Sequence, residues 1–585
     1  DLVGTTHTLF RTPGVATTLE NYESSIHGGY RRINGFSKFG STTPDTTSTN
    51  VEGIFRYAKG VVACQGSNIY YSADGNTWTQ VNKDTYQNKT GTVSVTAGSP
   101  TVTGSGTSFT TEFSVGDDIK INNEIFNVLS ISSNTSLTTD GNFAATASSQ
   151  NIKKNGATAA QLASGSAIPR VSQSDCKFAL YEGESQYGEL FIVDGNNQPA
   201  YLKIDIASGT HTYFFKEVQR SAPEKSKFAT IFGERLIVAG DADNPQVLSY
   251  STRLKPEDFT GSSAGTIDVG DKIKQIKPFR NKLIVFCESS IFQVSGLDGT
   301  VAVSGVTKNI GCVSGNTVQE IGGDLIFLAP DGLRTIAGTA RIDDIELSSI
   351  SRKILPVFRD EVMPFLSSIR FASMVVREKS QYRLFYFRSG NANNIQGGVI
   401  GTFKISSTGA GVYEWSTTKG IPAKIAHSGV DENGSEVLYH SDESGYVFNH
   451  DTGNSFDGGN IAATYKTPDM DYGDAGIRKT LYYIKTSIRS EGTNNNLKLQ
   501  TRYDFESGDV TQPGEVSLGA LQTPATFGSG SSFGTTLFGG TLFPQQKTTL
   551  TGSGFTNNFR VRSTGTGSPY TVSGFYVDFI PAGRT

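Results

Sequence analysis

The feature that most constrains this chain is a short apolar run, closed by a turn, that recurs along its length. The copies are Gly60-Val61-Val62-Ala63-Cys64-Gln65-Gly66, Leu190-Phe191-Ile192-Val193-Asp194-Gly195, Leu236-Ile237-Val238-Ala239-Gly240, Leu283-Ile284-Val285-Phe286, Leu325-Ile326-Phe327-Leu328, Leu384-Phe385-Tyr386-Phe387 and, more weakly, Val437-Leu438-Tyr439. Most lie roughly 40–60 residues apart, the period of a four-stranded propeller blade. Another short strand usually follows, such as Asn68-Ile69-Tyr70-Tyr71 or Ser290-Ile291-Phe292-Gln293-Val294. Apolar runs bounded by Gly, Asn and Asp read as strands and hairpins. One four-stranded sheet cannot bury both faces alone, whereas sheets set radially can. The expected fold class is all-β: a β-propeller-like core with an inserted small β-barrel and a C-terminal β-sandwich-like domain.

The divisions follow from where the pattern breaks. Residues 1–50 precede the first copy as an N-terminal segment, and residues 51–87 read as the first blade. Residues 88–155 are dominated by Thr, Ser, Gly, Asn and Val. They alternate cleanly, as in Gly91-Thr92-Val93-Ser94-Val95-Thr96 and Asp118-Ile119-Lys120-Ile121-Asn122. That pattern predicts a small β-barrel looped out of the first blade. Residues 156–456 hold the remaining blades, with a short broken helix at 351–366 that Pro356 and Pro364 interrupt. Residues 457–585 read as a C-terminal β domain with longer strands, Thr480 to Ile488 and Leu497 to Tyr503, and closing strands at Asn558 to Ser563 and Tyr570 to Ile580. Between them lies a Gly/Thr/Phe-rich loop with Phe527-Gly528, Phe533-Gly534 and Phe538-Gly539-Gly540. A structureless loop of that length is unusual, so its phenylalanines are expected to be partly buried against a neighbour.

Composition excludes several classes. The 585 residues correspond to several domains. Aromatic residues are 10% and the net charge is only −4, which is not a disordered chain. No basic stripe of the kind nucleic-acid binding requires is visible. No apolar stretch approaches the ~18 residues needed to span a bilayer. No signal-peptide pattern opens the chain, and its first residue, Asp1, is expected to follow processing or trimming. Cys64, Cys176, Cys287 and Cys312 show no metal-like spacing and read as buried reduced thiols.

Candidate chemistry is sparse. Ser72-Ala73-Asp74-Gly75-Asn76-Thr77-Trp78 resembles the Asp-box turn of sialidases, one residue short between Asp and Trp. Its expected role is structural: Asp74 accepts backbone N–H bonds, Gly75 supplies positive φ and Trp78 packs on the sheet. His440 and His450 flank a hairpin without a third ligand at metal spacing. Asp469-Met470-Asp471 and Asp343-Asp344 are acidic pairs of the kind expected by chance. Gly261-Ser262-Ser263-Ala264-Gly265 and Gly530-Ser531-Ser532-Phe533-Gly534 match a nucleophile elbow in spelling but lack its strand-to-helix context. No catalytic residue, cofactor or metal site is expected.

Three stretches together resemble the tail nozzle, or hub (tail tubular protein B-like), family of short-tailed bacteriophages. The first is Glu20-Asn21-Tyr22 through Gly28-Gly29-Tyr30-Arg31-Arg32-Ile33-Asn34-Gly35. The second is Phe279-Arg280-Asn281-Lys282-Leu283-Ile284-Val285-Phe286 with Ser289-Ser290-Ile291-Phe292. The third runs from Gly311-Cys312-Val313 through Asp324-Leu325-Ile326-Phe327-Leu328-Ala329-Pro330-Asp331-Gly332-Leu333-Arg334 into Glu346-Leu347-Ser348-Ser349-Ile350-Ser351. The resemblance implies a non-enzymatic virion protein of the tail, a homohexameric ring beneath an adaptor ring, whose N-terminal segment contacts the neighbouring ring. It also implies contact with tail fibres or tip proteins, and passage of genomic DNA without sequence readout during genome retention and ejection. The alternatives are a receptor- or glycan-binding propeller of the tail tip and a sialidase-like glycan hydrolase.

Overall fold

A computed structural model of the 585-residue chain describes all residues except 6, 8–13, 48–49, 184, 219–224, 298, 300, 338–348, 389–395, 406–410, 493–495, 519–544 and 584–585. The loop phenylalanines 527–543, the pair Asp343-Asp344, the elbow-like Gly530–Gly534 and the stretch Glu346–Ser348 therefore lie outside the described residues. The fold is all-β and propeller-like, built almost entirely of antiparallel meanders. The chain divides into two compact units, residues 1–41, 284–293 and 303–585, and residues 42–283 and 294–302.

The recurring apolar run has one structural meaning. Each of the six copies that lie within a single unit is the second strand of a meander, in chain order. These are Gly60–Gln65 after Val51–Tyr57, Glu189–Val193 after Lys177–Tyr181, and Arg235–Ala239 after Phe228–Phe232. The others are Asp324–Ala329 after Gln319–Ile321, Gln381–Phe387 after Arg370–Val376, and Glu436–Ser441 after Ile425–Val430. A second strand is flanked on both edges and covered on both faces, so alternation gives way to a continuous apolar run. Leu190, Leu236, Leu325 and Leu384 are each fully buried. The seventh copy, in Lys282–Cys287, lies where the chain passes between the units.

In the unit of residues 42–283 and 294–302, the first meander is Val51–Tyr57, Gly60–Gln65, Asn68–Ser72 and Thr79–Gln80. An eight-stranded sheet follows, covering Tyr86–Asn88 to Ile152–Asn155, with its own core of Val93, Val95, Val102, Phe109, Ile119, Leu137 and Ile152. Its first and last strands pair, Asn88 with Lys153 and Tyr86 with Asn155, so the chain leaves and returns at one place. Ala147–Gln150 pairs on Thr92–Val95 while the next strand, Ile152–Asn155, pairs on Asp118–Ile121, which bridges the two ends of the sheet.

The other unit contains the described C-terminal strands and most of the N-terminal segment. Thr18–Glu20 inserts between Gly411–Lys419 and Ile461–Lys466, which links the meander of residues 370–419 into the sheet Ile461–Lys466, Asn557–Gly565 and Leu497–Tyr503. Tyr22–Ser24 and Tyr30–Arg32 join Tyr570–Pro581 and Lys479–Ser490 in a second sheet. These two sheets bury Tyr465, Ile484, Ile488, Leu499, Phe559 and Val561 in one core, a sandwich. Phe36–Lys38 supplies the fourth strand to Ile425–Val430, Glu436–Ser441 and Val447–His450. Residues 352–365 form consecutive single helical turns that bury Ile354, Phe358 and Val362, one stripe at i, i+4 and i+8.

Candidate functional site

The residues from Glu20 to Gly35 form a clasp. Asn21, at φ +57°, turns the chain out of one sheet and into the next. Its side chain donates to the carbonyls of Lys419 at 3.0 Å and Ala462 at 2.7 Å and accepts from the Lys419 N–H at 2.9 Å. Tyr22 is fully buried, its hydroxyl 2.7 Å from that of Tyr570, which bonds Ser563 at 2.8 Å. Burial pushes both phenols up, so they stay neutral bonding partners. Arg32 is buried beneath the carbonyls of Gly565, Gly567 and Asn454. Glycine is obligatory at two places: a Cβ on Gly35 would lie 1.8 Å from the Ser455 carbonyl, and one on Gly29, at φ +79°, 2.2 Å from the Val572 carbonyl.

At the centre is a charged network. Glu23 accepts from Arg31 at 2.8 Å, Lys379 at 2.9 Å, Gln381 at 3.1 Å and Arg383 at 3.0 Å. Asp451 accepts from Arg383 at 3.1 Å and Lys379 at 2.7 Å. Arg31 forks onto Glu491 with two bonds of 2.6 Å, which hold the Glu491 carboxyl below its usual range. Three carboxylates thus meet three cations, and the side chains of Glu23 and Arg383 are each only 2% exposed. Burial works to raise the pKa of Asp451, but the charges of Arg383 and Lys379 override it and hold the carboxyl well below normal.

Two histidines complete the network. A guanidinium can only donate, so the 3.0 Å bond from Arg383 makes His450 Nε2 an acceptor and places the proton on Nδ1. His450 Nδ1 then donates to His440 Nδ1 at 3.3 Å, and His440 carries its own proton on Nε2, which has no hydrogen-bond partner. Phe36 and Phe448 sandwich His440 at ring-centroid distances of 4.8 and 5.1 Å. Burial lowers the His440 pKa to about 3 and, with the neighbouring His440 and Arg383, that of His450 well below normal. Both rings are neutral at pH 7, and the network balances at zero charge. A cleft of about 300 Å³ bordered by Glu378, Glu436, His450 and Asp451 adjoins it.

The Asp74 turn is a different object. The Asp74 carboxylate accepts from the N–H groups of Asn76 at 2.9 Å and Thr77 at 3.3 Å, and these bonds hold its pKa below normal. Gly75, at φ +75°, donates its N–H to Ser72 Oγ at 2.9 Å. Trp78 is half-buried, its Nε1 donating to the Thr42 carbonyl at 3.3 Å. Asp74 is exposed. The turn pins Thr42, whose hydroxyl donates to the carbonyls of Gly75 at 3.1 Å and Asn76 at 3.0 Å.

Other singled-out residues have plain roles. Asp469 is buried and accepts from Asn558 at 2.7 Å. The Ser263 carbonyl accepts from Arg235 at 2.8 Å, and a strand, Gly265–Asp268, follows instead of a helix. All four cysteines are buried and outside any disulfide, and burial raises the Cys176 thiol. Among the described residues no group of three or more His, Cys, Asp or Glu could hold a metal ion, and no helix is long and apolar enough to cross a membrane. Sequence reasoning missed Glu23, Lys379, Arg383, Asp451 and Glu491 as a cluster. The available signal was Gln381 and Arg383 standing inside an otherwise aromatic and aliphatic strand, where isolated polar residues demand buried partners.

No family model and no curated protein matches the chain. Among solved structures it is similar to the AfRom2 CNH domain, with a TM-score of 0.27, 9% identity, and coverage of 72% of this chain and 100% of that one. The Neurospora crassa Pan2 WD40 domain gives a TM-score of 0.25 at 8% identity, covering 72% of this chain and 96% of that one. The phage phi92 endosialidase gives a TM-score of 0.23 at 11% identity, covering 67% of each chain.

Proposed function

We propose that this chain is a structural component of a bacteriophage tail, a nozzle or hub protein. In this reading six copies form a ring below the portal and adaptor and extend the channel through which the genome is retained and ejected. The observation that carries the reading is where the resemblance falls. The stretch Glu20–Gly35 is the segment that clasps three sheets of its unit together through Asn21, Tyr22, Glu23 and Arg32. Its motif residues are spent on holding the chain together, as suits a protein that bears load. A net charge of −4 also suits a channel that lets DNA slide, since each Lys or Arg contact to phosphate retards passage.

Immunogold electron microscopy of intact particles, with an antibody against this chain, tests the reading. Label at the single tail vertex, between head and tip, is expected. Label on peripheral fibres would move the function to receptor binding. Absence of label from every particle, together with hydrolysis of a sialoside analogue, would replace the reading with a glycan-cleaving one.

A further inference from the structure

The strand Tyr570–Pro581 is paired along its whole length with Lys479–Ser490 on one edge. On the other edge Tyr30–Arg32 covers only Thr571 and Val572. From Ser573 to Pro581 that edge has no strand partner among the described residues. Nine residues at about 3.3 Å each present about 30 Å of open backbone donors and acceptors. Natural sheets blunt such edges with lysines, prolines or bulges. Here the open stretch has one bulge, at Ser573 where it begins, one charge, Asp578, and one terminal proline, while Tyr576 is 62% and Ile580 52% exposed.

The edge gives onto a cleft of about 740 Å³. Part of its lining is aromatic: Tyr465 stacks on Phe575 at 5.9 Å, Tyr472 stacks on Phe579 at 4.5 Å, and Phe559 packs on Phe575 at 5.8 Å, while Asp1, Lys404 and Glu414 line it as well. Gly28, Gly29 and Gly574, which carry no side chains, also line it. An open edge beside a partly aromatic cleft is the arrangement that takes up an extended segment. Backbone bonds give affinity and alternate side chains enter the cleft.

We propose that this edge accepts, as an added strand, the Phe/Gly tract 527–543 of a second copy of the chain. The sequence contains one stretch of matching chemistry. From Val516 to Gln546 there is no charged residue, and Phe533-Gly534-Thr535-Thr536-Leu537-Phe538 and Thr541-Leu542-Phe543 are rich in aromatic and β-branched residues. Twenty-six residues separate Leu518 from Gln545. The tract re-enters the fold at Gln545–Thr549, on the edge of the sheet opposite the open one. Donor and acceptor are therefore different surfaces, and such head-to-tail contacts build rings when the rotation closes. The inference stands on the edge and the tract, and holds whether or not the ring belongs to a tail.

The test places the photo-crosslinking residue benzoylphenylalanine at position 538 of the full chain. The irradiated protein is resolved on a denaturing gel and the adducts are mapped by mass spectrometry. Adducts of twice the chain mass, joining residue 538 to residues 572–579, are expected. Tyr576→Asp, at an exposed position, is expected to cut their yield at least fivefold with an unchanged circular dichroism melt. Single-mass adducts to the same strand would show that the chain fills its own cleft and would overturn the proposal. Adducts elsewhere, none at all, or a yield unmoved by Tyr576→Asp would overturn it too.

Discussion

The clasp and the Asp74 turn use the same hydrogen-bonding chemistry in opposite surroundings. At the turn, a carboxylate accepts two nearby N–H groups at the surface, and every partner lies within three residues. At the clasp, Glu23 reaches across 356 to 360 residues to Lys379, Gln381 and Arg383, out of water. Water can replace any bond lost at the turn. At the clasp a lost partner strands a charge where nothing can solvate it, so burial sets the size of the effect.

The largest expected effect comes from Arg383→Met. It leaves Glu23 and Asp451 short of a cation they cannot replace, and stability in chemical denaturation should fall by about 3–5 kcal/mol. A loss below about 1 kcal/mol would make the clasp equivalent to a surface ion pair and dissolve the contrast.

Acid provides a second test. The folded pKa of each histidine lies below its unfolded value near 6.5. The folded state therefore binds fewer protons, and stability is lost as pH falls below about 6.5. Between pH 6.5 and 5 each histidine should cost about 2 kcal/mol. His440→Phe should flatten the slope in denaturant titrations across that window. Asp451 is depressed from a lower starting point, so its contribution disappears only below about pH 4.

Trp78→Ala should cost about 1–2 kcal/mol, less than the about 3–5 kcal/mol of a fully buried tryptophan, because the ring is half-buried. A thermal melt lowered as far as by Arg383→Met would place the turn on a par with the clasp. Asp74→Ala should cost least, under about 1 kcal/mol, since water satisfies the released N–H groups. Amide exchange at Asn76 and Thr77 should nevertheless quicken, and unchanged exchange would show that the carboxylate does not hold the turn.

Much of the fold was legible because strand grammar is local. The apolar runs at Leu190, Leu236 and Leu325 announced strands, which the structure buries continuously, and the alternation at residues 92–96 announced a strand with one buried face. The bonds of the Asp74 carboxylate were legible for the same reason, since they close within a few residues, whereas those from the turn to Thr42 were not. The depth of Trp78 was not, because burial depends on what packs over the ring. His440 and His450 looked like scattered residues beside a hairpin. Their proximity follows from antiparallel register, which sets His440 against Phe448 and carries His450 alongside.

By itself, then, the sequence determined the all-β class, the repeating apolar strand, the distinct texture of residues 88–155 and the local bonding of Asp74. Each of these depends on residues within one or two strand lengths of one another. Only the tertiary structure decided that Glu23 meets Arg383, that Tyr22 meets Tyr570 548 residues away, and that one edge of Tyr570–Pro581 has no strand partner beyond Val572 among the described residues. A pattern of apolar and polar residues specifies which face of a strand is buried, but not which distant strand covers it. That choice is made when the whole chain packs and every buried charge finds its partner.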